Sequence, residues 1–209
     1  MINKTNAKKI VDILGGIFPD KPQLKYSNAF ELLVAVVLSA QCTDERVNKV
    51  TEVLFKKYPT ANDLACADTS ELESIIFSCG LYKNKAQFLI SASKDIVEKY
   101  GGQVPSTLEE LRTLSGVGRK TANVVYSVAF KGSAIAVDTH VFRVSNRIGL
   151  VKENNEYKTE LSLMKIIDKK DWARAHHYLI YLGRNYCKAK NPDCYNCPIK
   201  DLCEKRLKK

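Results

Sequence analysis

Residues 114–125 read LSGVGRKTANVV, and the two glycines in that stretch decide how the chain is organised. Helical apolar spacing precedes them in Leu108 to Thr113 and follows them through Val128, so Gly116-Val117-Gly118 reads as a tight hairpin between two helices. Glycine allows a turn with positive φ, and the hairpin N–H groups then stand at the start of the next helix, where the dipole favours an anion. Gly116, Val117 and Gly118 would grip a phosphate through the backbone, with Arg119 and Lys120 adding charge. That mode holds a nucleic-acid backbone without reading base edges. A glycine-capped turn with no ligand uses the same residues, so the pattern alone leaves both readings open.

Outward from the hairpin the apolar residues keep helical spacing: Ile10, Ile13, Leu14 and Ile17; Leu54, Phe55 and Tyr58; Phe88, Leu89, Ala92, Ile96 and Val97. The chain is expected to be all-α, with short, numerous helices. Breaks fall at Pro19 and Pro22, at Tyr58-Pro59-Thr60, at Gly101-Gly102, and at Ser106 with Glu109 in the capping-box position. The stretch Ala134 to Val144 is rich enough in Val, Ile and Ala to pass for a strand. Asp138 argues instead for an N-cap, followed by a helix whose apolar face is Val141, Phe142, Val144 and Ile148. The chain has 209 residues and no repeat or low-complexity linker, so a second domain would form by the chain leaving and returning. Its longest apolar run, Leu32 to Leu38, is too short to cross a bilayer, and the Asn/Lys-rich N-terminus lacks a signal core. A cytoplasmic, nucleoid-associated protein is expected.

Composition narrows the partner. The formal charge is +10, from 33 Lys and Arg against 23 Asp and Glu, which favours a polyanion. From Cys187 to the end there are seven basic residues against three acidic ones. The same segment holds Cys187, Cys194, Cys197 and Cys203 at the spacing C-x6-C-x2-C-x5-C. Without a signal peptide, and with Cys42, Cys66 and Cys79 scattered singly in apolar or helical surroundings, disulfides are disfavoured and a metal is implied. Structural zinc sites usually pair two knuckles across a longer interval, whereas four thiolates round one compact loop suit a [4Fe-4S] cluster. A four-cysteine zinc site is the alternative.

Lys120 follows the hairpin directly, where a helix N-terminus and any desolvation would favour the neutral amine. A neutral lysine is a nucleophile that can form a Schiff base with an opened sugar. It needs a proton acceptor, and Asp138 could serve as one or could simply cap its helix.

These residues carry a resemblance. With Ser39-Ala40-Gln41 and Thr43-Asp44, Gly80-Leu81-Tyr82 and Lys85-Ala86, Gly102 with Val104-Pro105, the hairpin through Ala122, Val137-Asp138-Thr139-His140 and the cysteine loop, the chain resembles the endonuclease III family of the helix-hairpin-helix superfamily. The resemblance covers nearly the whole chain. It implies a two-lobed helix-hairpin-helix glycosylase fold with a C-terminal [4Fe-4S] loop. The barrel-like lobe would be 23–133 and the cluster lobe 1–22 plus 134–209, with DNA in the cleft between them. The activity implied is removal of damaged, oxidised pyrimidines from duplex DNA by a monomer of bacterial type, then β-elimination at the abasic site through a lysine Schiff base. Lys120 would attack the sugar C1′, and Asp138 would accept its proton and stabilise the sugar cation. Gln41 and Leu81 would fill the gap left by the extruded base, and His140 would join the DNA contacts.

Position 115 is Ser where the family often has Pro, which bears on hairpin stiffness alone. Cys42 reads as buried, Trp172 as core, and His176 and His177 as packing or phosphate contacts rather than ligands, since four cysteines complete the cage. The rivals are a mismatch glycosylase related to the adenine-removing enzymes, which lack a lysine at this position and carry a further C-terminal domain, and a non-catalytic hairpin module.

Overall fold

The computed structural model describes residues 2–206, so Lys208 and Lys209 of the basic tail lie outside the described residues. In chain order the helices are α1 (Lys4–Gly15), α2 (Ala29–Leu38), α3 (Asp44–Lys57), α4 (Ala61–Ala65), α5 (Thr69–Ile76) and α6 (Tyr82–Tyr100). They continue as α7 (Leu108–Leu111), α8 (Arg119–Ala129), α9 (Thr139–Ile148), α10 (Glu156–Ile166), a 3-10 turn Lys169–Asp171 and α11 (Trp172–Asn185). No strand occurs among the described residues. Contacts divide the chain into two compact units, Gln23–Lys131 and Met1–Pro22 with Gly132–Lys209.

The contiguous unit is built round α2, the most apolar helix of the chain. Every residue from Leu32 to Leu38 is buried, as expected for a helix hydrophobic on all sides. It packs on α3, α6 and α8, while α4 and α5 pack on α6 and α7 on α8. Side-chain caps fix where these helices start. Asn28, Thr43, Thr60 and Asp68 each accept an N–H from the first turn of α2, α3, α4 and α5. At α7 the cap is Thr107, bonded to the Glu110 N–H at 3.2 Å, not Ser106 with Glu109. The signature there was displaced by one residue because Ser106 and Thr107 are equally good caps. The helix is also shorter than its apolar pattern, ending at Leu111 before a run of turns.

In the discontinuous unit α11 packs on α9 and α1, and α10 packs on α9. Asp138 caps α9, its Oδ1 accepting the Val141 N–H at 2.7 Å, and 134–137 carries no strand, which settles the ambiguity. The buried face of α1 is Ala7, Ile10, Val11 and Leu14; Ile13 is largely exposed, and Ile17 lies beyond the helix and outside the core. Trp172 is only half-buried at the first position of α11, where its Nε1–H donates to Ile167 O at 3.0 Å. His176 and His177 are buried, so neither reaches a phosphate. Nδ1–H of His176 donates to Ala136 O at 2.6 Å, and burial with His176 alongside pushes His177 down to about 3.

Candidate nucleic-acid interface and active site

The hairpin leaves one bare helix start. Gly116 has φ +73° and packs so closely that a Cβ there would lie 2.6 Å from Phe88 Cβ. Val117 turns inward, buried in the core, with its N–H donated to Leu114 O at 3.1 Å. It anchors the turn and presents no side chain outward. Gly118 is the N-cap of α8 with ordinary φ, supplies no side-chain cap, and has nothing within 4 Å of where a Cβ would stand. The start of α8 therefore carries no side-chain cap, which is the arrangement that can receive an anionic oxygen. Arg119 and Lys120 occupy the first two positions of this helix, both exposed.

Two further turns of the same unit come together. Gln41 (φ 54°) joins α2 to α3 and Leu81 (φ 60°) joins α5 to α6, each in the left-handed region that costs a non-glycine residue about 1–2 kcal/mol. A Cβ on Gly80 would be 3.3 Å from Gln41 O, and Arg46 Nη1 donates to Ser78 O at 3.2 Å, so the turns touch. Gln41 is exposed, and Leu81 is 57% exposed although apolar. Beside them Cys42 is half-buried, not buried, and packs against the edge of the core. Cys79 is buried, and burial with the neighbouring Cys42 pushes its thiol up to about 11. Cys66 stands exposed at the end of α4, where the helix stops short of covering it. Under these turns lies Lys85, only 4% exposed, with Nζ donating to Leu38 O at 2.9 Å and Ala40 O at 2.6 Å. A lysine in an amphipathic pattern reads as solvent-facing, so nothing in the sequence marks this one as interior.

In the other unit Asp138 is half-buried; Oδ1 is committed to the α9 cap and Oδ2 makes no hydrogen bond among the described residues. His140 sits in the first turn of α9, its Nδ1 accepting from Arg143 Nη2 at 3.2 Å. Arg143 and Arg147, which sequence reasoning did not single out, bind this helix to the cysteine segment. Arg143 donates to Gly183 O and Cys187 O at 3.1 Å each, and Arg147 to Lys188 O at 2.6 Å. Their spacing of four on one helix face was the available signal.

Cys187, Cys194, Cys197 and Cys203 line one pocket with Arg147, Ile148, Tyr186, Asp193, Lys200 and Lys205. Arg147 Nη1 approaches Cys187 Sγ at 3.7 Å and the Lys205 N–H points at Cys203 Sγ at 3.3 Å. Burial pushes the thiols of Cys197 and Cys203 up, and a cation in the pocket would favour their thiolate forms. Among the described residues no group of three His, Cys, Asp or Glu closes on a single ion. The sulfurs stand round the pocket wall. The donor set and the N–H groups aimed at it fit an iron–sulfur cluster.

Comparison with known proteins agrees with this architecture. The chain is 48% identical to endonuclease III of Bacillus subtilis (strain 168), covering 100% of this chain and 96% of that one. Two solved structures, a trapped endonuclease III–DNA covalent intermediate and a non-covalent endonuclease III–DNA complex, each superpose with a TM-score of 0.92 at 48% identity. Each covers 99% of this chain, which covers 98% and 97% of theirs. Residues 34–169 match the HhH-GPD superfamily of base excision DNA repair proteins. The chain belongs to that superfamily.

Proposed function

We propose that this protein is a bifunctional DNA glycosylase and abasic-site lyase of base excision repair that removes oxidised pyrimidines from duplex DNA. The observation that carries the reading is Lys120: an exposed amine at the second position of α8, directly behind a helix start left bare by Gly118. A phosphate held on that helix start brings the sugar of a neighbouring nucleotide within reach of the amine. The similarity to an endonuclease III that forms a covalent intermediate with DNA supports the same chemistry here.

The damaged nucleotide leaves the stack at a cost of a few kcal/mol, less where damage has weakened pairing. Gln41 and Leu81, exposed on adjacent strained turns, fill the space it leaves. Lys120 Nζ attacks C1′ as the bond to the base breaks, and Asp138 takes the amine proton on the carboxylate oxygen not used by the helix cap. Opening of the sugar gives the protonated Schiff base, which withdraws electrons from C2′. Loss of the C2′ proton then expels the 3′ phosphate by β-elimination, and water frees the lysine. Arg119 and His140 add contacts to the DNA from the starts of α8 and α9.

Cys187, Cys194, Cys197 and Cys203 would hold a [4Fe-4S] cluster. Four thiolates round one compact loop suit a polynuclear group, whereas structural zinc sites usually pair two knuckles across a longer interval. The cluster would supply structural order to the basic loop, leaving base removal to Lys120 and Asp138.

Borohydride trapping on an abasic duplex tests the reading. The native protein should become covalently linked to the DNA, and Lys120→Gln should bind the duplex yet form no adduct. An adduct at the normal rate from Lys120→Gln would move the nucleophile elsewhere, and no adduct from the native protein would favour a non-catalytic hairpin module.

A further inference from the structure

Lys85 is an unusual interior residue. Its ammonium is buried and donates to two neutral carbonyls, Leu38 O at 2.9 Å and Ala40 O at 2.6 Å, with no carboxylate partner among the described residues. Removing an ammonium from water is costly, and such charges are ordinarily paired or replaced by apolar side chains. Burial pulls Lys85 below the usual lysine range, with Cys79 and Cys42 acting in the opposite sense. Its acceptors belong to the C-terminal end of α2, where the helix dipole is negative and the last carbonyls lack partners. Its own helix begins one turn earlier: the Lys85 N–H donates to Leu81 O at 3.0 Å.

We propose that Lys85 is a positioning residue for base extrusion, tying the turn that carries Gln41 to the helix that follows Leu81 and so holding the two as a preformed wedge. The inference rests on the reading that Gln41 and Leu81 fill the gap in the stack. Both residues keep left-handed backbone conformations, which persist only where the surroundings enforce them. Ala40 O is adjacent to Gln41, and Leu81 O accepts the first bond of the turn that bears Lys85. Without the ammonium one buried and one partly buried carbonyl lose their donor, and the Gln41 turn is free to move against the Leu81 turn. Stacked duplex has to be opened before Lys120 reaches the sugar, whereas single-stranded abasic DNA presents nothing to wedge apart.

The test compares Lys85→Met with the native holoprotein on two substrates, a duplex with one oxidised pyrimidine and a single-stranded abasic oligonucleotide. Duplex base removal should fall on the order of a hundredfold, as expected for a misplaced positioning group, while borohydride trapping on the single strand stays close to native. Lys85→Gln, which keeps an N–H donor on a shorter side chain, should recover part of the loss, and it decides by the same assays if Lys85→Met does not fold. Equal losses on both substrates would mean a general structural role and overturn the proposal, as would no loss on either. A native protein that traps on the single strand but does not act on the duplex would sink the wedge reading itself.

Discussion

At Asp138 the two carboxylate oxygens have different work, and one substitution separates them. Asn keeps an oxygen for the Val141 N–H, so Asp138→Asn should change stability by only a few tenths of a kcal/mol. Losing the proton acceptor should slow base removal on the order of a hundred- to ten-thousandfold. Lyase action on a preformed abasic site should suffer less, since an aldehyde needs no base expelled; equal losses in the two assays would refute the division. His177 gives a second prediction. Its folded pKa, about 3, lies below the ordinary value of 6.5, so the unfolded chain binds the extra proton first. Its contribution is intact above about pH 6.5 and is lost as pH falls towards 3, with a slope approaching about 1.4 kcal/mol per pH unit. Urea unfolding of His177→Gln across that window should show a shallower pH dependence than the native protein. The cap at Asp138 was legible because short polar side chains advertise helix starts. The buried state of Lys85 and His177 was not, because it depends on which carbonyls and helices the fold brings round them.

At the scale of elements the hairpin glycines part company. Gly116 has positive φ and no room for a methyl group against Phe88, so Gly116→Ala should cost about 2–4 kcal/mol of stability. Gly118 has ordinary φ and open space, so Gly118→Leu should cost less than about 1 kcal/mol while weakening every duplex alike. Thermal melts with binding isotherms on damaged and undamaged DNA would check both. A Gly118→Leu protein that binds undamaged DNA normally would remove the phosphate role from α8. The helix-hairpin-helix could be read directly because glycine spacing and apolar period agree there. Element ends were less legible, as at Thr107, where two adjacent caps compete, and at Ile13 and Ile17, where the apolar stripe runs past the part of α1 that α11 covers.

Across the whole molecule the cysteine segment is held less by its own secondary structure than by borrowed donors from α9, chiefly Arg143 and Arg147. The purified protein should be yellow-brown with about four irons per chain, and Cys194→Ser should lose the colour. Metal analysis returning one zinc and no iron would replace the cluster. The spacing of the four cysteines could be read from sequence, but the arginine carbonyl ties that seat them could not, since they join residues about forty positions apart.

The discontinuous unit also sets an order of events during synthesis. Helix α1 leaves the ribosome first, yet its packing partner is α11, and Tyr181 reaches Lys21 O across 160 residues. At elongation rates of about 5–20 residues per second the apolar face of Ala7, Ile10, Val11 and Leu14 stays uncovered for on the order of ten seconds. Meanwhile Gln23–Lys131 has every partner it needs once its last residue emerges. A nascent chain arrested soon after residue 131 should therefore carry a protease-resistant centre behind a cleavable, chaperone-accessible leading helix. A cluster held by the four thiols would load only once Cys203 has been made and joins Cys187, Cys194 and Cys197.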